Sequence, residues 1–282
     1  MITIFSNPRP FLGPFDELQR NAILSWTKLL PKCEIILFED EEGTTLKVAK
    51  ELGLKCISGI ATNEFGTPLL PDIFSKIRKE ANNEIISQVN ADIILMDDFV
   101  EGILRMKKEI KNKPFFMSGR RWDYDLYSKI DFENIKWSEE LKSKVLKSGK
   151  LHGFSGMDYW VFPKNFDFNP PEFVIGRPGM DSWLVYKARK MKIPVIDATD
   201  SIFIVHQNHN YPKKKSEFFK LEIERNKKID NVFINGLTLR DADRILDKKG
   251  IKRPSLFRLI FSMFSLFCPL RFLIYLKRKR KF

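Results

Sequence analysis

The chain has 282 residues, of which 43% are hydrophobic and 30% charged, a balance that excludes an intrinsically disordered protein. Its net charge is +13, but nine basic residues lie within 251–282, where there is no Asp or Glu. A nucleic-acid enzyme usually spreads its basic side chains over a working groove. We therefore expect no nucleic-acid partner, because charge concentrated at one end fits a membrane surface better.

The cysteines and the first residues indicate the compartment. Cys33, Cys56 and Cys268 are far apart and match neither a disulfide framework nor a zinc-binding spacing. Residues 1–5 enter an apolar run directly, without a basic n-region or a cleavage site. These features predict a protein of the reducing cytoplasm.

Short apolar runs alternate with amphipathic stretches along the chain. Strands are predicted at 2–5, 34–38, 55–57, 84–89, 114–118, 158–163, 195–199 and 202–205. Helices are predicted at 17–30, 44–52, 71–81, 100–110, 137–146, 181–191, 216–228 and 238–248. This alternation predicts an α/β fold with a mainly parallel sheet flanked by helices. In such sheets ligands bind beyond the carboxyl ends of the strands.

The segment Asn90-Ala91-Asp92 comes after an apolar run and is the most informative of these strand ends. In extended chain, side chains two residues apart point to the same side, so Asn90 and Asp92 would face one ligand. Asp92 would supply a carboxylate to a divalent cation, and Asn90 a neutral ligand or a hydrogen bond to ribose. The alternative is that Asp92 only ends the strand or caps the next turn.

Other strand ends carry groups suited to a nucleotide. Ser6 and Asn7 come directly after the first strand. Asp40 comes after the second, where it could accept hydrogen bonds from ribose or base, or be a solvated acid in a charge run. Thr67 lies in a Gly-Thr-Pro segment whose backbone amides could face the nucleotide, or form a simple turn.

Two arginines and one carboxylate are candidates for the chemical step. Arg120 and Arg121 come after a strand and could neutralise a leaving diphosphate, although an ion pair with Asp123 or Asp125 is the alternative. Asp181 opens a helix and could take the proton of an acceptor hydroxyl, or merely cap that helix. Trp183 could stack on a sugar ring, or belong to the core.

Residues 85–95 resemble the aspartate-x-aspartate segment of GT-A-fold glycosyltransferases, with Asn90 in place of the first aspartate. Segments 63–70, 118–123, 155–163, 175–184 and 205–211 are similar, in the same order, to a bacterial group of these proteins. The resemblance implies a GT-A (Rossmann-like) fold with a nucleotide-binding first half and an acceptor-binding second half. It also implies a Mn²⁺ or Mg²⁺ cofactor held by Asp92 and His206. Asp158 would then contact substrate, and His209 the diphosphate or the acceptor.

Three regions are expected on this basis: a GT-A domain at 1–215, a helical extension at 216–250, and a basic, hydrophobic tail at 251–282. The apolar run 255–276 is interrupted by Arg258, Pro269 and Arg271, so a helix lying in the membrane interface fits it better than a spanning helix. A buried C-terminal helix would explain the apolar residues but not the basic run at 277–281. The tail predicts a peripheral location on the inner face of the plasma membrane.

The sequence as a whole predicts a metal-dependent, inverting glycosyltransferase. It would move a sugar from a nucleoside-diphosphate sugar to a hydroxyl of a glycan or lipid-linked acceptor. One alternative is a sugar-1-phosphate nucleotidyltransferase, although the residues after the first strand lack the Gly-rich loop of that class. The other is a peripheral membrane adaptor with a vestigial nucleotide site. A dehydrogenase is not expected, because no G-x-G-x-x-G comes after any predicted strand.

Overall fold

The computed structural model describes residues 1–111, 113–126, 128–209, 217–229 and 237–260. The strands in these ranges are β1 Ile2–Ser6, β2 Glu34–Phe38, β3 Lys55–Ile57, β4 Ile85–Val89, β5 Ile93–Leu95, β6 Phe116–Ser118, β7 Trp122–Tyr124, β8 Lys150–Leu151, β9 Tyr159–Pro163, β10 Val195–Asp197, β11 Ile204–Gln207, β12 Arg244–Leu246 and β13 Ile251–Lys252. The helices are α1 Pro14–Thr27, α2 Thr44–Glu51, α3 Leu70–Glu80, α4 Asp98–Ile110, α5 Trp137–Ser148, α6 Met180–Lys190 and α7 Glu217–Lys228.

The main sheet has nine strands in the order β13-β12-β10-β6-β9-β4-β1-β2-β3. Strand β1 runs parallel to β2 and β4, and β10 runs parallel to β6 and β12. Because β9 is antiparallel to both β4 and β6, these two strands share one direction. The strands β1, β2, β4, β6 and β10 therefore all end at one side of the sheet, called here the carboxyl edge. The predicted α/β fold with a mainly parallel sheet is confirmed.

Helices cover both faces of this sheet, because side chains alternate along each buried strand. Ile4 of β1 packs into one cluster with Trp26 of α1 and Ile103 of α4. The next residue, Phe5, packs into the opposite cluster with Phe74 of α3. Burying a large apolar side chain of this kind contributes about 1.5–3 kcal/mol. The two clusters hold the strands firmly and thereby fix the positions of the residues at the carboxyl edge.

A second, four-stranded sheet in the order β5-β11-β7-β8 lies beyond the carboxyl edge. Its first strand, β5, starts only a few residues after β4 ends. The two strands are joined by a tight turn, in which the Ile93 amide donates to the Asn90 carbonyl (3.0 Å). Strand β11 is antiparallel to β5 and parallel to β7. The sequence did not predict this sheet. It places β11 against the turn that carries Asp92.

The predicted helix over 238–248 is wrong, and the expected helical extension over 216–250 contains strand β12. Its first residues form a short 3-10 helix, Leu239–Asp241, closed by reciprocal hydrogen bonds between Thr238 and Asp241. The chain then enters β12, which pairs in parallel with β10. The helical part of the extension is α7.

The C-terminal tail lies mostly outside the described ranges, which end at residue 260. A helical turn at 256–260 is its last described element. Within the described residues no helix combines the length and apolar character needed to cross a membrane.

Candidate functional site

Asn90 joins the end of β4 to the residue that precedes β9. Its backbone amide donates to the Asp158 carbonyl (2.9 Å). Its side-chain Nδ2 donates to Asp158 Oδ1 (2.8 Å), and its Oδ1 accepts from Gln88 Nε2 (3.0 Å). Both polar atoms of the Asn90 side chain are therefore engaged in bracing the turn that presents Asp92.

Asp92 meets two imidazoles at the carboxyl edge. His209 Nε2 lies 3.0 Å from Asp92 Oδ2, and His206 Nε2 lies 3.5 Å from the same oxygen. One candidate ligand atom from each of the three residues lies within 4.8 Å of the other two. The structure thus unites Asp92 and His206, both predicted as metal ligands, with His209, which the sequence had assigned to the diphosphate or the acceptor.

Strand register in the second sheet produces this cluster. His206 is paired with Ile93 of β5 on one side and with Asp123 of β7 on the other. The sequence predicted His206 to come after a strand of the main sheet, whereas it lies inside β11. His209 lies two residues beyond β11, where its ring packs edge-on against Phe15 at 5.2 Å between centroids.

Two atoms of the cluster, Asp92 Oδ1 and His206 Nε2, are buried without a hydrogen-bond partner in the described part of the chain. Side-chain exposure is only 4% for His206 and 7% for His209. Buried polar atoms are nearly always satisfied in folded proteins. Unsatisfied polar atoms on two of the three candidate ligand residues indicate the place of a ligand.

The charges of the cluster are coupled. Burial alone would raise the pKa of the Asp92 carboxyl, but His206 and His209 hold that pKa well below its usual range. Burial alone would lower the pKa of His206, but the nearby Asp92 carboxylate raises it. Asp92 is therefore ionised across the physiological pH range, as a cation ligand must be.

Asp123 supports the cluster from behind. Its Oδ1 lies 3.3 Å from His206 Nδ1 and accepts a hydrogen bond from Arg121 Nε (2.8 Å). Its Oδ2 lies 2.6 Å from His152 Nδ1. Burial alone would raise the pKa of Asp123, but contacts with His152 and Arg121 lower it. Sequence reasoning missed Asp123 except as an ion-pair partner of Arg121, because only the β7–β11 register places it opposite His206.

Arg121 and Asp158 form a buried ion pair beside the cluster. Arg121 Nη1 donates to Asp158 Oδ1 (2.8 Å), and the side chain of Asp158 is 9% exposed. The alternative of an ion pair between Arg121 and Asp123 is the arrangement observed. The second oxygen of Asp158, Oδ2, is buried and makes no hydrogen bond to any described residue. Burial is the main cause that raises the pKa of Asp158.

Asp181 lies in the first turn of α6, close to this ion pair. The N-cap residue is Gly179, whose φ of 112° favours glycine, and no side-chain hydrogen bond caps the helix. Asp181 therefore does not cap this helix, which was the alternative left open by the sequence. Burial, and after it the charge of Asp158, raise the pKa of Asp181 to about 7. A carboxyl that titrates near neutral pH is suited to accept a proton from a hydroxyl.

Ser6 and Asn7 lie at the end of β1, as predicted. Ser6 Oγ donates to the Val89 carbonyl (2.6 Å) and ties β1 to β4. Asn7 Oδ1 is buried and unpaired within the described ranges. Of the two, Asn7 is the one whose side chain is placed to accept a further hydrogen bond.

Asp40 and Thr67 have structural partners. Asp40 Oδ2 accepts from the Thr45 amide (2.5 Å) and from the hydroxyls of Thr44 and Thr45, which fixes the start of α2. The Thr67 amide donates to Asn63 Oδ1 (2.8 Å) in a turn that contains Gly66 at φ 78°. Turn formation, the alternative for Thr67, accounts for its bond, whereas Asp40 is bonded to the start of α2 and is not the solvated acid of its alternative.

Arg120 and Trp183 have partners outside the Asp92 cluster. Arg120 Nε donates to the His152 carbonyl (2.6 Å), and its guanidinium stacks on Phe154. Trp183 is 1% exposed and packs in the core against Phe173. The expectation that Trp183 stacks on a sugar is wrong, because α6 turns this ring toward the sheet.

No protein-family model and no curated protein sequence matches the chain. Among solved structures, the chain is similar to S. aureus TarS 1-349 in complex with UDP-GlcNAc, with a TM-score of 0.46 and 11% sequence identity. The superposition covers 84% of this chain and 68% of that chain.

Proposed function

We propose that the protein is a metal-dependent glycosyltransferase of the GT-A type. It would transfer a sugar from a nucleoside-diphosphate sugar to a hydroxyl of a glycan or lipid-linked acceptor, with inversion at the anomeric carbon. The observation that carries the proposal is the cluster of Asp92, His206 and His209 beyond the carboxyl edge of a mainly parallel sheet. That edge is where α/β sheets bind nucleotides.

The donor set suits a divalent cation. One carboxylate and two imidazoles on a small, partly enclosed surface leave coordination positions open for diphosphate oxygens. Because imidazole nitrogens favour transition metals over Mg²⁺, Mn²⁺ is the better match of the two cations expected from the sequence. The bound cation would neutralise the charge that develops on the leaving nucleoside diphosphate.

The remaining groups of the site divide the work between binding and proton transfer. Asn7 Oδ1 and Asp158 Oδ2 are buried acceptors without described partners, so each can accept a hydrogen bond from a ribose or sugar hydroxyl. Asp181, with a pKa of about 7, would take the proton of the acceptor hydroxyl as that oxygen attacks the anomeric carbon. Arg121 holds Asp158 and Asp123 in place and keeps positive charge beside the diphosphate.

The test is ligand-induced stabilisation of the full chain. UDP, GDP, ADP and CDP are each added with and without Mn²⁺, and the thermal midpoint is measured. We expect at least one diphosphate to raise the midpoint only when Mn²⁺ is present, because a ligand that binds the folded state stabilises it by mass action. Asp92→Asn should abolish that increase, and the matched exposed variant Asp200→Asn should keep it. No Mn²⁺-dependent shift with any of the four nucleotides would contradict the proposal.

A further inference from the structure

The last described turn of the chain, residues 256–260, turns its polar side chain inward and three of its four apolar side chains outward. Leu256 is 73% exposed, Phe257 82% and Ile260 45%. These positions are one, three and four residues apart, so they share one helical face. Arg258 is directed the other way and has only 15% side-chain exposure. A helix end meant for water would have the reverse orientation.

Arg258 is clasped by the folded domain. Its Nη2 donates to Asp197 Oδ2 (2.8 Å) and to the Leu239 carbonyl, and its Nε donates to the Arg240 carbonyl (3.0 Å). Its guanidinium lies 5.3 Å from the centroid of the Phe154 ring. The arginine that interrupts the apolar run is thus a fixed attachment of the turn to the domain. It does not have to enter an apolar environment.

This attachment lies at the same side of the sheet as the Asp92 cluster. Asp197 is the last residue of β10, which runs in the same direction as β4. Two strands, β6 and β9, separate β10 from β4 in the main sheet, a separation of only three strand spacings or roughly 14 Å. The contact continues toward the site, because Asp197 accepts from Thr199 and the Thr199 hydroxyl accepts from the Arg120 amide (3.0 Å).

We infer that the face formed by Leu256, Phe257 and Ile260 docks onto an anionic lipid bilayer and holds the carboxyl edge of the sheet toward the membrane. The sequence beyond the described residues continues with Phe261, Met263 and Phe264 and reaches the basic run 277–281, with no acidic residue after position 250. This composition is complementary to an anionic surface, and each Lys or Arg near such a surface strengthens binding by about fivefold. A second copy of the chain is a poor occupant, because it would bring two such basic segments together.

The benefit of this orientation depends on the proposed function. A transferase that acts on a lipid-linked acceptor needs its site within reach of the headgroup region. An acceptor hydroxyl at that level would then approach Asp181 from the membrane side. Membrane docking itself does not require the transferase activity, and the two can be tested separately.

Docking is tested by sedimentation of the full chain with vesicles of phosphatidylcholine, alone or mixed with phosphatidylglycerol. We expect binding to the mixed vesicles that weakens with added salt, and little binding to neutral ones. The double variant Leu256→Glu/Phe257→Glu should bind at least about tenfold more weakly, because exposed apolar side chains lose their insertion. The control Ile135→Glu/Leu146→Glu adds the same charge at other exposed apolar positions and should bind like wild type. Equal vesicle binding by both double variants would contradict the assignment of this face as the docking surface.

Orientation is tested with a fluorophore on one engineered cysteine, in a chain whose Cys33, Cys56 and Cys268 are replaced by Ser. Asp200→Cys lies just beyond β10 at the carboxyl edge, and Glu84→Cys lies just before β4 at the opposite edge. Both changes remove one negative charge from an exposed position. A quencher on the lipid headgroup should quench the label at position 200 more strongly than the label at 84. Equal quenching, or stronger quenching at 84, would contradict the orientation.

Two further readouts separate this inference from the proposed function. If Leu256→Glu/Phe257→Glu loses vesicle binding but keeps Mn²⁺-dependent nucleotide binding, both the docking surface and the proposed function are supported. Wild-type protein that binds nucleotide but not anionic vesicles overturns the docking surface alone, and vesicle binding without nucleotide binding overturns the transferase alone. Light scattering that shows a dimer lost in Leu256→Glu/Phe257→Glu would assign the face to a second copy instead.

Discussion

At the scale of single residues, the site depends on a few side chains whose surroundings set their ionisation. The two imidazoles lower the pKa of Asp92 and keep it charged, whereas burial and a neighbouring carboxylate raise the pKa of Asp181 to about 7. Two carboxyl groups whose pKa values are shifted in opposite directions are suited to different tasks, one as a permanently ionised cation ligand and one as a base.

Asp181→Asn tests the base. The variant should lose about 10²- to 10⁴-fold in kcat, the usual contribution of general base catalysis, while Mn²⁺-dependent nucleotide binding is retained. In the wild type, kcat/KM should rise with pH through about 7 as Asp181 loses its proton. A variant that keeps both its rate and this ascending limb would show that another group is the base.

The same carboxyl makes a prediction for stability. Its folded pKa of about 7 lies above the ordinary value of 3.8, so the folded state holds a proton that the unfolded chain releases. This carboxyl should therefore destabilise the wild type progressively as pH rises from about 4 to about 7, because its ionisation favours the unfolded state. Asp181→Asn removes this destabilisation. Its thermal midpoint should exceed that of the wild type at pH 8 and equal it near pH 4, and equal midpoints at both pH values would contradict the assignment.

We predict that Asp123 positions His206 for metal binding. A carboxylate behind a ligating imidazole fixes the ring and raises its basicity, and such partners are worth about 10- to 100-fold in metal affinity. Asp123→Asn should weaken Mn²⁺ binding by that factor, measured as free Mn²⁺ by electron paramagnetic resonance. The control Asp125→Asn changes an exposed acid two residues away, bonded to Asn208, and should leave the affinity unchanged. Equal affinity in both variants would leave Asp123 without this role.

At the scale of elements, much of the main sheet could be predicted from the sequence. Buried runs such as those of β1, β2 and β4 are apolar on both faces and are bounded by clear helical patterns, so their period and order are local signals. The turn carrying Asn90 and Asp92 was found for the same reason. The general rule that ligands bind beyond the carboxyl ends of parallel strands predicted which edge of the sheet would carry this turn's candidate ligands.

The second sheet could not be predicted, because its strands are short and its pairings are distant in sequence. Strand β7 is the short triplet Trp122–Tyr124, half-buried at every position, and its pairing with β11 makes it a strand. The error at 238–248 has a similar cause. The spacing of Leu239 and Ala242 fits a helix, but reciprocal hydrogen bonds between Thr238 and Asp241 limit it to one 3-10 turn. The chain then pairs with β10 at Ile245.

Gly119 tests how closely the end of β6 is packed. A Cβ at this position would lie 2.6 Å from the buried Tyr159 hydroxyl and 3.3 Å from the Thr199 amide. Overpacking of this kind usually costs about 1–3 kcal/mol. Gly119→Ala should lower the free energy of unfolding in urea by that amount, whereas Gly153→Ala, which meets no atom within 4 Å, should have little effect. Equal stability of the two variants would show that β6 can shift freely.

At the scale of the whole molecule, three features converge on the carboxyl edge of the main sheet. The Asp-His-His cluster lies there, and Asp181 is close enough for the charge of Asp158 to raise its pKa. The turn at 256–260 is attached there through Asp197. Under the proposed function, donor, base and membrane lie on one side of the protein. An acceptor held at a lipid surface would then meet the donor without leaving the membrane.

Identifying the bond that breaks in a nucleotide sugar is the most direct test of the proposed transfer. Nucleotide sugars are supplied to the full chain with Mn²⁺, with the oxygen between the anomeric carbon and the β-phosphorus labelled with ¹⁸O, and the products are followed by ³¹P NMR. We expect release of a nucleoside diphosphate that retains the label, lost in Asp92→Asn and kept in Asp200→Asn. Release of a sugar phosphate together with a nucleoside monophosphate, or no turnover of any nucleotide sugar, would contradict a glycosyltransferase.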